Sequence, residues 1–381
     1  MYNIFYDFLN SITHSLEEKC LYLACISLLL ILFYYIYFFL RIVFLKKTNS
    51  SFNKPISIII CAKNELNNLK NNLPFILEQN YSNFEVIVVN DQSNDDSINF
   101  LNKLAKKNKH LVIVEIDDFV KTTLGKKFAL TLGIKSAKNE YLLLTDADCI
   151  PDSKNWIKKM SLNFNHANII LGYGSYKKEK SFLNKIIRYD TFNIAQQYLS
   201  FALKNQTYMG VGRNLAYKKS LFFSNKGFAS HINIASGDDD LFIQEIANSG
   251  TVTIETTKEA HTTSNAINSW KDWIYQKRRH ISTAPLYKMK FKILLSIYPI
   301  SQLLFLLSII FLFIFKSNIN YIIILLSVKL MFSYIINYST MRKLKVYDLY
   351  WLHPLYEVLH IFIQVNFVLL NLFNKPVKWS R

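Results

Sequence analysis

The sequence predicts an α/β protein in which a mixed, mainly parallel sheet with flanking helices is joined to transmembrane helices at both ends. Three observations predict this class. Short Val/Ile/Leu-rich runs alternate with helical patterns between residues 55 and 165, and long hydrophobic runs lie near both ends of the chain. The 381 residues are 51% hydrophobic and 15% aromatic, although the net charge is +18. This composition excludes disorder for most of the chain, because disordered chains are charged and poor in aromatic residues.

Four hydrophobic runs are candidates for membrane helices, since about 20 apolar residues cross a hydrocarbon layer of ~30 Å. They are Cys20–Leu45, Phe291–Phe315, Ile319–Tyr338 and Tyr347–Phe373. We therefore predict three parts of the chain. They are an N-terminal segment 1–50 with a transmembrane helix at about 20–45, a domain at 51–290, and a C-terminal membrane region 291–381 with two to three hydrophobic helices.

Basic residues beside these runs predict the orientation, because loops rich in Lys and Arg stay in the cytoplasm. They are Arg41, Lys46 and Lys47 after the first run, Lys288, Lys290 and Lys292 before the second, and Arg342, Lys343 and Lys345 after the third. All three groups agree if residues 46–290 face the cytoplasm. The fourth run either spans, re-enters or lies at the interface, because it carries His353, Glu357 and His360, which are costly in lipid. The basic residues Lys375, Lys378 and Arg381 favour a tail on the cytoplasmic side.

The domain at 51–290 begins with four predicted strands. They are Ile56–Ala62, Phe84–Asn90, Leu111–Ile116 and Tyr141–Thr145. Helical patterns lie between them at Asn67–Gln79, Ser97–Lys107 and Lys126–Ser136. Nearly continuous apolar strands separated by helices predict a parallel sheet that is covered on both faces.

Acidic residues follow three of these strands, at the edge where parallel sheets bind their ligands. Glu65 follows the first strand, Asp91 the second, and Asp146 and Asp148 the fourth. A single acidic strand end is usually a helix cap or a turn. Three together predict a site. The pair Asp146-x-Asp148 suits Mg²⁺ or Mn²⁺, which prefer carboxylate oxygens, although an Asx turn before Pro151 also explains it.

Other ligand classes fit the sequence less well. Gly172-Tyr173-Gly174 and Gly210-Val211-Gly212 lack the third glycine of the dinucleotide fingerprint, and Gly125-Lys126-Lys127 lacks the remainder of a P-loop. Basic clusters interleaved with exposed aromatics are missing from the sequence pattern, so we expect no nucleic-acid partner. The excess of Lys is instead suited to anionic membrane lipids.

The segments from SIIICAKNE (Ser57–Glu65) to QKRRH (Gln276–His280) resemble the family 2 glycosyltransferases with a GT-A-type, Rossmann-like fold, as found in membrane-anchored polysaccharide synthases. The resemblance covers a little over half of the chain. It implies a bacterial inner-membrane enzyme that uses a nucleoside-diphosphate sugar, a divalent metal and a lipid-linked or saccharide acceptor. A uracil nucleotide is the expected donor base.

The resemblance also implies roles for individual residues. Nucleotide-sugar contacts would come from Ala62, Asn64, Glu65, Asp91, Lys126, Lys127 and Asp146. Asn90 stands where the family has a first acidic residue. The metal would be held by Asp148, the more direct ligand, together with Asp146. For Lys126 and Lys127, a solvated helix start is the structural alternative.

On the acceptor side, GVGRNLAY (Gly210–Tyr217) and GDDD (Gly237–Asp240) match family segments. The catalytic base would be Asp239, with Asp238 as the alternative. Acceptor or diphosphate contacts would come from Gly212, Asn214, Gln276, Arg279 and His280. A tight turn explains the first segment equally, and an acidic helix N-terminus explains the second.

The segment Gln276-x-x-Arg279-His280 departs from the family signature Q-x-x-R-W, because His280 replaces Trp. Trp270 and Trp273 lie nearby and could supply the aromatic platform under an acceptor sugar instead. His261 and His280 are further candidate metal or phosphate contacts, although a lone His is more often structural.

Together these features predict a membrane-bound inverting glycosyltransferase. The alternatives are a nucleotidyltransferase, which would not explain QKRRH, and a nucleotide-binding membrane scaffold without catalysis, which would lack part of the acidic set. A transporter would carry its functional polar residues inside the hydrophobic runs.

Overall fold

The computed structural model describes residues 2–45, 51–117, 125–234, 236–248 and 250–373, with the backbone alone for residues 2–14 and Leu372. Five of the basic residues that predicted the orientation lie outside the described residues. These are Lys46, Lys47, Lys375, Lys378 and Arg381.

The chain begins with one long helical segment. Helix α1 (Tyr2–Phe33) continues through a π-helix at Tyr34–Phe39 into α2 (Leu40–Val43). Tyr34, Tyr35, Phe38 and Phe39 of the π-helix are all buried. The wider turn therefore directs four large aromatic side chains into the protein.

The domain that follows contains two sheets. Their strands are β1 (Ile56–Ala62), β2 (Phe84–Asn90), β3 (Leu111–Glu115), β4 (Tyr141–Leu144), β5 (Cys149–Pro151), β6 (Ile169–Leu171), β7 (Gly174–Tyr176), β8 (Leu215–Lys218), β9 (Val252–Ile254) and β10 (Thr262–Ser264). The larger sheet has the order β3-β2-β1-β4-β8-β6-β9, and the smaller has the order β5-β10-β7. In the larger sheet β3, β2, β1 and β4 are parallel, whereas β8 runs antiparallel to both of its neighbours.

Helices lie between and after these strands. They are α3 (Leu66–Leu77), α4 (Ser97–Ala105), α5 (Lys126–Ser136), α6 (Trp156–Leu162), α7 (Phe182–Ala202), α8 (Lys219–Ser224), α9 (Asp240–Ile246) and α10 (Trp270–Ile281). The predicted fold class is confirmed, and β1, β2 and α5 begin and end at the predicted residues. The fourth strand ends one residue earlier than predicted, since Thr145 already turns away to donate from its hydroxyl to the carbonyl of Arg213 at 3.0 Å.

Three long helices complete the described chain. They are α11 (Met289–Ile314), α12 (Ile319–Lys343) and α13 (His353–Phe373). Four segments are long and apolar enough to cross a membrane: Ser15–Val43, α11, α12 and His353–Asn371. The predicted hydrophobic helices at both ends are therefore present.

One buried carboxylate connects these helices. Glu357 of α13 accepts hydrogen bonds from Tyr35 of the π-helix, at 3.3 Å, and from Gln302 of α11. It also pairs with the ammonium of Lys329 of α12 at 2.7 Å. Each of the other three long hydrophobic segments thus contributes one partner to Glu357, which compensates for burying these charges.

Helix α7 joins the domain to the hydrophobic helices. Gln196 donates to Asn337 of α12 at 2.9 Å, and Arg188 donates to both carboxylate oxygens of Asp348, at 2.8 and 2.5 Å. The buried core on one face of the larger sheet, which includes Ile59, is continuous with the buried residues of the hydrophobic helices. The domain and these helices therefore share one core.

Candidate active site

The carboxyl ends of β1, β2 and β4 meet at one edge of the larger sheet. The amide of Asp91 donates to the carbonyl of Ala62 at 2.8 Å, so the chain segments that leave β1 and β2 lie side by side. Burial raises the pKa of the nearby Cys61 thiol to about 12, with Lys126 opposing and Asp146 and Asp238 adding to the rise. These charged side chains are thus grouped around the end of β1.

The segment after β1 is fixed to the segment after β2. Asn64 adopts a left-handed backbone with φ of 56°. Its amide donates to the hydroxyl of Ser93 at 2.9 Å, and its side-chain oxygen accepts from the amide of Asn94 at 2.8 Å. Asn64 therefore shapes this edge, and it also exposes its side chain to solvent.

Glu65 and Asp91 point two further carboxyls toward this edge. Burial raises the pKa of Glu65, and the charges of Asp148 and Asp146 raise it further. Burial also raises the pKa of Asp91, against the opposing effect of Lys63. The side chain of Asp91 has no hydrogen-bond partner among the described residues, which leaves its oxygens available to a ligand.

Lys126 joins two of the acidic segments. Its ammonium lies 2.8 Å from Asp146 and 3.3 Å from Asp238. Burial works against this charge, but Asp146 and Asp238 hold the pKa of Lys126 well above its ordinary value. A small pocket opens here, lined by all three side chains together with Gly212 and Asp239.

Lys127, predicted beside it, points elsewhere. Its ammonium is buried and donates to the carbonyls of His231 and Ile234, at 2.6 and 2.9 Å, and lies 2.8 Å from the His231 ring. Successive helical residues project about 100° apart, so Lys126 and Lys127 cannot face the same site. We therefore assign Lys127 to the support of the 229–234 segment rather than to nucleotide binding.

Asp146 and Asp148 form a small group of possible metal ligands. A carboxylate oxygen from each and the sulfur of Cys149 lie within 4.8 Å of one another. Burial raises the pKa of Cys149 well above its ordinary value, so the thiol stays protonated, and it donates to Asp148 at 3.4 Å. The ionisable oxygens of Asp146 and Asp148 therefore remain as a hard donor set, which fits Mg²⁺ or Mn²⁺.

Asp239 is the second carboxylate of the GDDD segment and lies at the pocket wall. Its Oδ2 accepts the amide of Gly212 at 2.9 Å. Burial raises the pKa of Asp239 to about 7, and the neighbouring charges of Asp238 and Asp240 contribute to that rise. A side chain at position 212 would approach Lys126 and Asp239, to 3.4 and 3.6 Å, so glycine keeps the pocket open there.

Asp238 differs from Asp239 in its protonation. Although burial opposes ionisation, Lys126 lowers the pKa of Asp238 below its ordinary value. At neutral pH Asp238 is therefore a fixed anion paired with Lys126, whereas Asp239 can gain and lose a proton. This contrast favours Asp239 over Asp238 as a base.

Asp240 connects this segment to the end of α10. Its Oδ2 accepts from the hydroxyls of Thr283, at 2.5 Å, and Tyr287, at 2.8 Å. Thr283 also donates to the carbonyl of His280 at 2.9 Å. The C-terminal end of α10 is thus held beside the GDDD segment.

This end of α10 carries the QKRRH residues. The Nη2 of Arg279 lies 3.3 Å from the Nε2 of His280. The Nε of Arg279 is buried without a hydrogen-bond partner among the described residues. Gln276 lies one turn earlier and is half-buried. Thr283 thus links the backbone of His280 to Asp240 of the GDDD segment.

Three side chains that were predicted as possible site residues are bonded or packed in the protein interior. Asn214 is completely buried and bonds Tyr173, Ala260 and Trp156 through both ends of its amide. It is therefore a core residue rather than an acceptor contact. The side chain of Asn214, which the family resemblance places on the acceptor side, is therefore directed into the core and does not line the pocket.

The other two are His261 and Trp273. His261 is buried between the carbonyl of Thr256, at 3.1 Å, and the ring of Tyr173. Burial lowers its pKa to about 4, so it stays neutral, and it cannot neutralise phosphate. Trp273 packs inside the protein against Phe367, so it offers no platform to a sugar.

Arg213 is a site residue that sequence reasoning missed. Its guanidinium stacks on Tyr176, with 4.3 Å from the central carbon to the ring centre, and donates to Ser264 at 3.2 Å. Its positive charge also counteracts the burial that raises the pKa of Asp148. The signal in the sequence that could have identified Arg213 is its position between the predicted site residues Gly212 and Asn214.

The comparisons with known proteins concern the family and the fold. Residues 57–223 match the model of the family described as "Glycosyl transferase family 2". An uncharacterized glycosyltransferase of Haemophilus influenzae is 31% identical over 121 residues, which are 32% of this chain and 36% of that protein. The poly-beta-1,6-N-acetyl-D-glucosamine synthase of Staphylococcus aureus is 26% identical over 195 residues, 50% of this chain and 44% of the relative. The chain thus spans less than half the length of these curated relatives.

Among solved structures, a mannosyltransferase from Pyrobaculum calidifontis in complex with GDP-Man and Mn²⁺ superposes with a TM-score of 0.56 at 17% identity. The superposition covers 88% of this chain and 99% of the mannosyltransferase, which shows a shared fold. Residues 57–223 are therefore similar to the family 2 glycosyltransferases, and the chain has a GT-A-type fold together with hydrophobic helices long enough to cross a membrane.

Proposed function

We propose that this protein is an inverting glycosyltransferase. It moves a sugar from a nucleoside-diphosphate donor, with a UDP-sugar expected, to a lipid-linked or saccharide acceptor. The observation that carries this proposal is the pocket in which Asp239, with a pKa of about 7, lies beside Lys126 and Asp146. A base, a cation and a metal-binding carboxylate are the groups that such a transfer needs.

The donor side would use the strand ends. Asp91 and Glu65 lie where a nucleoside would bind, and Asp146 and Asp148 would hold a divalent cation. That cation would neutralise charge that develops on the departing diphosphate. Lys126 is placed to share this role, because its ammonium already contacts Asp146 in the protein alone.

On the acceptor side, Asp239 would remove the proton of the attacking hydroxyl group. The hydroxyl oxygen then forms a bond to the anomeric carbon as the bond from that carbon to the diphosphate breaks, which inverts the configuration. The amide of Gly212 orients Asp239 for this step. Arg279 and His280 would contact the diphosphate or the acceptor from α10.

We place the catalytic domain on the cytoplasmic side of a bacterial inner membrane. Lys288, Lys290 and Lys292 precede α11, and Arg342 and Lys345 flank the end of α12, next to the domain. Loops rich in Lys and Arg favour the cytoplasm, where nucleotide sugars are made. The name of the Staphylococcus aureus relative supports a saccharide acceptor.

The test is a panel of UDP-, GDP- and other nucleotide sugars incubated with membranes that contain the protein and Mg²⁺ or Mn²⁺. We expect release of nucleoside diphosphate from one donor, together with a labelled product, and loss of both in Asp239→Asn. Release of inorganic pyrophosphate from a sugar phosphate and a nucleoside triphosphate would instead identify a nucleotidyltransferase. Donor binding without turnover of any sugar would favour the scaffold.

A further inference from the structure

Helix α13 contacts the catalytic domain instead of leaving it. Near its start, the ring of Tyr356 lies 5.4 Å from the ring of Tyr189 of α7. One turn later, the Nε2 of His360 lies 3.0 Å from Asp190 of the same helix. Asp190 in turn pairs with the ammonium of Lys277 of α10 at 2.7 Å.

The second half of α13 continues along α10. Phe367 packs against Trp273, with 5.6 Å between ring centres. The guanidinium of Arg278 donates to the side chain of Asn371 at 2.9 Å and to the carbonyl of Leu370 at 3.1 Å. The amide of Asn371 returns a hydrogen bond to the carbonyl of Arg278 at 3.2 Å.

These contacts limit the path that α13 can take through a bilayer. Tyr356 and Asn371 are separated by about 22 Å of helix axis at 1.5 Å per residue. A helix that crosses a ~30 Å hydrocarbon layer carries its far end away from a domain on the near side. Asn371 instead still contacts α10 at Arg278, close to the C-terminal end that is fixed to the GDDD segment through Thr283.

The two faces of α13 have opposite character. The face toward the protein carries the polar side chains His353, Glu357, His360, Gln364 and Asn371, together with the buried Tyr356, Ile361 and Phe367. The face away from the protein is exposed and apolar, with Leu355, Phe362, Val365, Leu369 and Phe373. Ionisable groups turned inward and apolar groups turned outward are typical of a helix in contact with lipid.

We propose that α13 is an interfacial helix that lies in the leaflet nearest the catalytic domain and does not cross the bilayer. Its partner is the lipid of that leaflet, because its exposed outer face is apolar, while its inner face binds the hydrophobic helix α11 through the contact of Glu357 with Gln302. Through Asp190 and Arg278, α13 also holds α10, and with it Arg279 and His280, against the membrane side of the active site.

The first test determines the side on which α13 ends. Single cysteines replace Lys107, exposed on the catalytic domain, Lys316, exposed between α11 and α12, and Phe373, 88% exposed at the end of α13. A membrane-impermeant maleimide is applied to sealed vesicles of each orientation, with the parent protein setting the background from its own cysteines. We expect Phe373→Cys to react on the side of Lys107→Cys and opposite to Lys316→Cys. Reaction on the side of Lys316→Cys would overturn the proposal.

The second test measures depth. Spin labels are attached to cysteines that replace Leu355, Phe362 and Leu369, which share the outer face of α13. Relative accessibility to oxygen and to a water-soluble nickel chelate reports the depth of each label. We expect all three labels in the near leaflet, whereas a label at 369 in the far leaflet would show a spanning helix. Neither test depends on turnover, so each remains informative if the proposed reaction is wrong.

Discussion

Neighbouring aspartates at the start of α9 have different protonation, and the difference comes from their contacts. Asp238 pairs with Lys126 at 3.3 Å, while Asp239 receives one backbone amide and lies between two other carboxylates. Burial raises the pKa of Asp239 to about 7. A carboxylate with this pKa is a suitable base near neutral pH, because it exchanges a proton without a large free-energy cost.

The pH dependence of turnover tests this assignment. Asp239 must be deprotonated to act as the base, so kcat/KM should rise as the pH increases from 5 to 8, with a midpoint near 7. Below the midpoint we expect a fall of about tenfold per pH unit. The rate of nucleoside diphosphate release at low donor concentration gives the profile. A profile that is flat between pH 5 and 8 would point to Asp238, whose pKa is lowered.

Asp239→Asn is the matched variant at the same position. We expect activity to fall by about 10²–10⁴-fold, the usual contribution of a general base. We also expect the variant to unfold at a higher temperature than the parent at pH 8. The raised pKa means that ionising Asp239 costs more in the folded state, so stability is lost as the pH rises from about 4 toward 7, and Asn avoids this loss. A lower unfolding temperature would indicate that Asp239 has a structural role.

Metal binding is tested at Asp148. Replacement by Asn removes one of the two carboxylates proposed to hold the cation. We expect the affinity for Mn²⁺, measured from the paramagnetic resonance signal of free Mn²⁺, to fall by more than the ~10–100-fold caused by losing a supporting contact. Glu78→Gln is the control, because Glu78 is an exposed carboxylate paired with Lys154. Equal affinities in the two variants would place the metal elsewhere.

At the scale of secondary structure, α10 is the element that the membrane region holds in position. It packs on α13 along its length, through Trp273 in the N-terminal half and Arg278 near the C-terminal end. The chain directly after α10 adjoins Asp240 through Thr283. Asp190 is the central link, since it pairs with Lys277 of α10 and His360 of α13. Despite complete burial, Lys277 lowers the pKa of Asp190 to about 2.

Asp190→Asn should therefore destabilise the protein. The change leaves the ammonium of Lys277, whose side chain is only 10% exposed, without its anionic partner. Breaking a buried ion pair in this way costs about 3–5 kcal/mol of the free energy of unfolding. Thermal unfolding in detergent micelles measures the loss, with the exposed Asp96→Asn as the control. The stabilising effect of Asp190 should persist above pH 4 and disappear as the pH approaches 2.

Elements could be predicted from sequence where their hydrophobic pattern is strong. The continuous apolar residues of β1 and β2 predicted both strands to their last residue, and the acidic strand ends predicted the edge that carries the site. Side-chain direction could not be predicted, because it depends on tertiary contacts that no local pattern encodes. Lys127 and Asn214 show this, because each is next in sequence to a residue that lines the pocket. Lys127 instead contacts His231, and Asn214 accepts a hydrogen bond from Trp156.

The partners of polar residues inside hydrophobic segments could not be predicted from the sequence either. Glu357 was predicted to be costly in lipid, but the ammonium of Lys329 lies 2.7 Å from its carboxylate and compensates its charge. Arg213 was missed because its partners Tyr176 and Ser264 come from distant parts of the chain. Such pairs emerge only when the topology brings separate elements together.

At the scale of the whole molecule, the hydrophobic segments and the catalytic domain form one structure. Glu357 is bonded to the π-helix, α11 and α12, and three residues later His360 binds the domain. This arrangement makes α13, together with α7, a connection between the hydrophobic helices and the domain.

A double-variant cycle tests the role of Glu357. Glu357→Gln leaves the charge of Lys329 unpaired and should lower the midpoint of thermal unfolding in detergent strongly. Combining it with Lys329→Met removes both charges, and we expect most of the stability to return, because replacing a whole buried pair costs far less than breaking it. If the two changes are simply additive, the ion pair does not hold the bundle together.

The bond network of Asp240 links the chemistry to the bilayer itself. This residue follows the proposed base directly, and it binds Tyr287, two residues before α11 begins. Lipids with shorter or longer acyl chains change the tilt of a helix that must match their thickness. A change in the tilt of α11 would therefore move Tyr287 and Asp240, and with them the adjacent Asp239. We expect the protein, reconstituted in lipids of graded chain length, to be most active at one bilayer thickness.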